Sequence, residues 1–188
     1  MNPLTLAATL ALSAAPAPVQ MKVTGAEPGK PPLTTILFEV ILRNDRAEPR
    51  WFLFPAWIGE PLGKGGVMGV EVFSTEKAVV GRFLGTGAFQ AVYLPVRAKL
   101  TLKNFPIKSY REAGAPAPKS FDVVIAKTLT VGGKPAESWY GGASPASAKA
   151  GSADLKLAKR TGGSSTPDLS EVVVEVVEDG RVAIPLRR

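Results

Sequence analysis

The chain has 188 residues, 45% of them hydrophobic, and carries 23 lysines and arginines against 16 aspartates and glutamates, a net charge of +7. It contains no cysteine and no histidine. That excludes disulfides, thiol nucleophiles, thiolate or imidazole metal sites, lipidation of an amino-terminal cysteine and any Ser-His-Asp triad.

One domain is the expectation for this length, and the basic balance directs attention to acidic partners. The 19 glycines and 17 prolines, about a fifth of the chain, suit many short strands joined by frequent turns.

Leu4 to Leu12 is an apolar run followed by Ser13, Ala14, Ala15, Pro16 and Ala17. It resembles a short signal peptide, with small residues suited to cleavage near Ala15 or Ala17. It departs from that pattern in having no Lys or Arg ahead of the apolar run. The run is too short to span a bilayer. The expectation is therefore a signal peptide over 1–17, a β-sandwich domain over 18–188, and a periplasmic or secreted location.

Val19 to Thr24 alternates as a first strand, and Gly25 to Pro32 reads as a turn-rich connection. In Thr34 to Arg43, Phe38, Val40 and Leu42 alternate with Glu39, Ile41 and Arg43, the period-2 pattern of a strand with one buried face. Asn44 to Pro49 is turn-forming. Trp51, Phe52, Leu53 and Phe54 follow, apolar on both faces. The two runs read as a hairpin-like pair at the centre of the core, which is expected to include Phe38, Val40, Leu42, Trp51 and Leu53.

Further strands are expected at Val67 to Ser74, Ala78 to Phe83, Phe89 to Leu94, Arg97 to Asn104 and Phe121 to Val131. Gly132 and Gly133 supply a tight hairpin turn. From Gly141 to Pro167, Gly, Ala, Ser and Lys dominate, which predicts a long flexible loop interrupted by a short edge strand at Leu155 to Lys159. Glu171 to Val177 and Arg181 to Leu186 flank Asp179 and Gly180, a strong hairpin signal. No long segment shows a 3.6-residue apolar period. About 8–10 short strands at this spacing predict an all-β protein, a single antiparallel β-sandwich.

The strand Thr34 to Arg43, its Asn44-Asp45 turn, Trp51 at the start of the next strand, and Leu94-Pro95 give the chain a pattern that resembles the immunoglobulin-like and fibronectin-like modules of secreted bacterial proteins. The resemblance implies a scaffold. A scaffold does not by itself define a function.

Motifs for catalysis and cofactors are weak. Ser74 to Lys77 fits S-x-x-K, and Arg160 to Gly162 is a distant echo of K-T-G, but no S-D-N separates them and the serine ends a strand pattern. Gly85-Thr86-Gly87 opens like a dinucleotide fingerprint, yet Gln90 stands where the third glycine belongs. Gly63-Lys64 lacks the spacing of a phosphate loop. No cofactor and no metal is expected.

Two binding features are singled out. The aromatic residues Trp57, Trp139 and Tyr140 lie beside Gly and Pro loops and could stack on sugars or anchor an interface, with Trp51, Phe52 and Phe54 assigned to the core. Arg97, Lys99 and Lys103 share one face of a strand, with Lys108 and Arg111 beyond. Between Arg97 and Lys134 there are eight basic and two acidic residues. Lysines on an exposed strand face also discourage aggregation without any ligand.

The leading functional expectation is a non-catalytic, exported β-sandwich that binds or assembles with another envelope macromolecule, a protein or an anionic polysaccharide. Nucleic acid is not expected as a partner. A proteinase-inhibitor-like module presenting the 141–167 loop is the alternative. A hydrolase using carboxylates such as Glu39, Asp45, Glu48 or Asp122 is the third.

Overall fold

The computed structural model describes residues 16–29, 32–59, 66–110, 116, 118–145, 151–164 and 171–186, the side chains of 162–164 excepted. The expected signal peptide lies almost wholly outside them, as do Gly63, Lys64 and Arg111. The strands are β1 (Val19–Pro28), β2 (Leu33–Arg43), β3 (Arg50–Pro55), β4 (Trp57–Ile58), β5 (Val67–Ser74), β6 (Val79–Gly85), β7 (Phe89–Leu94), β8 (Lys99–Tyr110), β9 (Ser120–Val131), β10 (Lys134–Pro135), β11 (Gly151–Asp154), β12 (Lys159–Ser164) and β13 (Val172–Pro185). Among the described residues there is no α-helix, and a 3-10 turn spans Ala136–Trp139. None of them forms a helix long and apolar enough to cross a membrane.

The strands form two packed sheets. The smaller runs β1-β2-β8-β11, with β4 also on β8. The larger runs β10-β9-β3-β7-β6-β5-β12, with β13 on β9. The sandwich is all-β, and its pairings are antiparallel except for β4 and β11, which each run parallel to β8.

Phe38, Val40, Leu42, Leu100, Leu102 and Phe105 of the small sheet pack on Phe52, Phe54, Val80, Val92 and Val123 of the large one. Their alternation continues through a β-bulge at Lys103 and Asn104. There the register steps from Phe38↔Phe105 to Val40↔Leu102, with Asn104 at φ 55°. The extra residue shifts the buried set from even to odd numbers, so Phe105 and Ile107 stay inside.

The large sheet is buried on its other face as well. Trp51, Leu53, Val72, Phe83, Phe89, Ala91 and Ala126 form a second apolar cluster, capped by Ala136, Trp139 and Tyr140. This explains why Trp51 to Phe54 is apolar on both faces: each side of β3 has its own cover.

Four expectations are corrected. The runs around Asn44 to Pro49 are not a hairpin, because β2 pairs β1 and β8 whereas β3 pairs β7 and β9 in the opposite sheet. Asn44 anchors that crossing: it is buried, and its Nδ2 donates to the carbonyls of Glu48 (2.8 Å), Leu94 (3.2 Å) and Pro95 (2.9 Å).

Asp179-Gly180 does not turn a hairpin either. β13 runs along β9 on both sides of it, and the register jumps from Val176↔Ala126 to Arg181↔Val124. Gly180 lets the bulged chain press on its neighbours: a Cβ there would lie 2.5 Å from the Ile125 carbonyl oxygen.

The expected 141–167 loop is in part strand, with 146–150 and 165–167 lying outside the described residues. Gly151–Asp154 and Lys159–Ser164 form β11 and β12, which join the two sheets, and of the strand expected over Leu155 to Lys159 only Lys159 is in a strand, the rest being the turn between them. Finally, Arg97 lies outside β8, in the preceding turn at φ 51°, so it does not share a strand face with Lys99 and Lys103.

The Gly132-Gly133 turn holds, with φ of 55° and 72° joining β9 to β10. Val67–Ser74 and Phe89–Leu94 are strands with the expected bounds.

Candidate functional site

The aromatic candidates separate. Tyr140 is fully buried, stacks on Trp51 with ring centroids 6.0 Å apart and an interplanar angle of 9°, and donates its hydroxyl to the Ala91 carbonyl at 3.3 Å. Burial raises its pKa well above the ordinary phenol value, and the Glu137 carboxylate adds to that. Trp139 is also buried beside it, with the Lys134 ammonium 5.5 Å from its ring centroid. Neither can present a free aromatic face, which corrects the expectation of an exposed platform. Trp57 is half-buried, and the Lys108 ammonium sits 4.9 Å from its ring centroid.

Lys99 and Lys103 are exposed on β8, as is Lys108 beyond the bulge. They do not form a uniformly basic row. Asp154 of β11 is the register partner of Lys103 and interacts electrostatically with it. β8 is also interior to its sheet, so these lysines guard no free strand edge. Among the acids, Glu48 is held by Arg50 at 3.1 Å and Lys127 at 4.0 Å. The hydrogen bond from Arg50 holds its carboxyl below the usual range, the opposite direction to that of a general acid.

A different set of side chains converges in a cleft between the sheets. Two adjoining cavities of about 190 and 240 Å³ share Arg82, Gln90, Pro106 and Arg160 as walls. Glu71, Arg82 and Gln90 are register partners on β5, β6 and β7. Their chain neighbours Val72, Phe83, Phe89 and Ala91 fill the outer cluster, so alternation turns this row toward the small sheet. Gln90 is 1% exposed and ties the sheets together by donating from Nε2 to the Pro106 carbonyl at 2.6 Å.

Arg82 and Arg160 meet on one carboxylate. Their guanidiniums lie 3.4 and 3.7 Å from the same oxygen, Glu71 Oε2. Both also rest on the Phe73 ring, 5.1 and 5.3 Å from its centroid, a cation–π arrangement on a half-buried aromatic. The Arg82 side chain is only 17% exposed. Burial lowers its pKa, with Arg160 adding to the effect and Glu71 opposing it, yet an arginine remains charged. The cleft ends on Lys108 over Trp57 and on Lys156, which pairs with Glu27 at 2.8 Å. Four cations thus face two carboxylates.

A larger cavity of about 660 Å³ opens at the end of the sandwich by Asn44. Its three arginines, 43, 46 and 50, are matched by Asp45, Glu178 and Asp179, and Arg46 pairs Asp179 at 3.4 Å. It has volume without a charge preference, so the smaller cleft is the better candidate. Among the described residues no group of three or more acidic side chains is placed to hold a metal ion.

Comparison with known proteins returns no matching family model, curated relative or solved structure, so function is argued from this geometry. Sequence reasoning missed Arg82, Gln90 and Arg160. The available signal was a charged or amide residue on the core-facing side of an otherwise apolar strand, as in Val79 to Gly85 and Phe89 to Leu94.

Proposed function

We propose that this chain is an exported, non-catalytic β-sandwich module that binds an anionic macromolecule of the cell envelope, and that the Arg82–Arg160 cleft is where it binds. The observation that carries this reading is the paired guanidiniums on Phe73, flanked by Lys108 and Lys156, with Glu71 and Glu27 as the acidic side chains of the lining. Arg82, largely buried, and Arg160, exposed at the rim, supply directed donors that match carboxylate, phosphate or sulfate groups. An anionic polysaccharide fits better than a compact anion, because two adjoining cavities with cations at both ends suit an extended chain.

The inhibitor-like alternative is less favoured, because 151–154 and 159–164 of its 141–167 segment are strands. Export rests on the Leu4 to Ala17 pattern, and mass spectrometry of protein from its native source should find an amino terminus between Pro16 and Val19.

The binding reading is tested by retention on immobilised heparin and on immobilised polygalacturonate at low salt. Wild type should be retained and released as salt rises. Arg160→Gln should elute markedly earlier, while a combined Arg97, Lys99 and Lys103 to Gln variant should elute only slightly earlier. A wild type that passes through both matrices would defeat the proposal.

A further inference from the structure

We infer that Glu71 is a built-in stand-in for the ligand's own anionic group, and that the cleft is shaped for the carboxylates of a uronate-type polysaccharide. This rests on the anion-binding reading above and goes further by assigning the ligand class and the residue that sets affinity.

Both guanidiniums address a single oxygen, at 3.4 and 3.7 Å. Charge-assisted N–H···O bonds are normally about 2.7–2.9 Å, so neither arginine is closed into the two-point fork it makes with an ideal partner. Each guanidinium has five donors, and Glu71 is the sole acceptor that Arg82 and Arg160 address among the described residues. The site is therefore organised around a carboxylate that fills it incompletely.

The aromatic residues point the same way. Phe73 carries the two guanidiniums and Trp57 carries the Lys108 ammonium. Each of these partly buried rings already carries a cation, so recognition in the cleft falls to charge.

Glu71 projects from β5 directly across from Arg82, and a side-chain rotation withdraws its carboxylate while the strand stays in place. An incoming carboxylate can then take both forks, with further carboxylates of the same chain near Lys108 and Lys156. Repeated anions compensate for the competition that Glu71 offers at any one position.

The test is a calorimetric titration of a galacturonate hexamer, a maltohexaose sulfated to one group per residue and neutral maltohexaose into wild type, Glu71→Gln, Glu39→Gln and Arg160→Gln. Circular dichroism checks that each variant is folded. Glu39→Gln removes the same charge from the outer face of the small sheet and controls for net charge.

Glu71→Gln should bind the galacturonate hexamer at least about threefold tighter than wild type, the order of a partly exposed ion pair. Glu39→Gln should stay close to wild type. Arg160→Gln should lose about tenfold, as expected for charged hydrogen bonds. Maltohexaose should not bind.

Equal tightening in Glu71→Gln and Glu39→Gln, or weaker binding in Glu71→Gln, would overturn the role of Glu71. Equal or tighter binding of the sulfated maltohexaose, which has no carboxylate, would overturn the carboxylate assignment. Wild type that binds neither anionic oligomer would instead defeat the anion-binding reading itself.

Discussion

Gly81 and Tyr140 offer a direct measurement of the second core. A Cβ at Gly81 would lie 2.7 Å from Tyr140 Cε1 and 3.0 Å from Cζ, closer than non-bonded carbons approach. Gly81→Ala should therefore overpack the interface and cost about 1–3 kcal/mol. Tyr140→Ala empties a fully buried aromatic site against Trp51 and should cost about 3–5 kcal/mol. In the Tyr140→Ala background the clash is gone, and the added methyl reduces the freedom of the unfolded chain, so Gly81→Ala becomes neutral or slightly stabilising, by up to about 1 kcal/mol. The double-mutant cycle should then give a coupling energy of about 2 kcal/mol, read from urea unfolding followed by tryptophan fluorescence. Additive single-mutant costs would refute the packing of Tyr140 over Gly81, and with it the account of why β3 is apolar on both faces.

Asn44→Ala strands three carbonyl acceptors at the crossing between sheets and should destabilise by about 2–4 kcal/mol, measured by the urea midpoint. Gly180→Ala should cost about 1–3 kcal/mol through close contact with the Ile125 and Val177 carbonyls, and thermal unfolding will show it. Tyr140 has a raised pKa because it is buried. Its contribution to stability is thus fully present below the unfolded phenol value of about 10 and is lost as pH rises through the folded value. Ultraviolet titration should find one of the three tyrosines ionising only as the protein unfolds, and Tyr140→Phe should flatten the alkaline loss of stability.

Strands that bury one face were legible because alternation is a local signal: Phe38, Val40 and Leu42 are all in the inter-sheet core. Sheet membership was not, because an alternating strand pairs equally well with a neighbour in sequence or with a distant one. That is why the β2 and β3 runs looked like a hairpin and lie in opposite sheets. Asp179-Gly180 carried a sound turn signal, but continuous pairing of β13 with β9 absorbed it as a bulge. Trp139 and Tyr140 looked like loop aromatics because the surface they cap is assembled from Trp51, Gly81, Ala91 and Ala126, which are scattered along the chain. The candidate site was illegible for the same reason. Arg82 and Arg160 are 78 positions apart in sequence and meet only because β12 returns to pair with β5.

That return depends on a small polar lock, and the lock is testable. Asp154 ends β11, accepting from Asn104 Nδ2 at 3.0 Å and from the Lys156 backbone N–H at 2.9 Å. Asn104 is the left-handed residue of the β8 bulge, so the bulge and the turn into β12 are fixed to each other. The Asn104 hydrogen bond is the main cause of the lowered Asp154 pKa. The bond therefore favours the folded turn above the ordinary carboxylate range and fades as pH falls through the lowered value. Asp154→Ala should leave the inter-sheet core folded while loosening Lys156, Leu157 and the start of β12, because only Leu155 and Ala158 of that turn pack on the core and Leu157 is exposed. Hydrogen exchange should quicken at Lys159 and Arg160, with retention on polygalacturonate falling in parallel. Unchanged exchange at those two amides would show that β12 is placed by its pairing with β5 alone. Faster exchange with full retention would separate the position of Arg160 from binding.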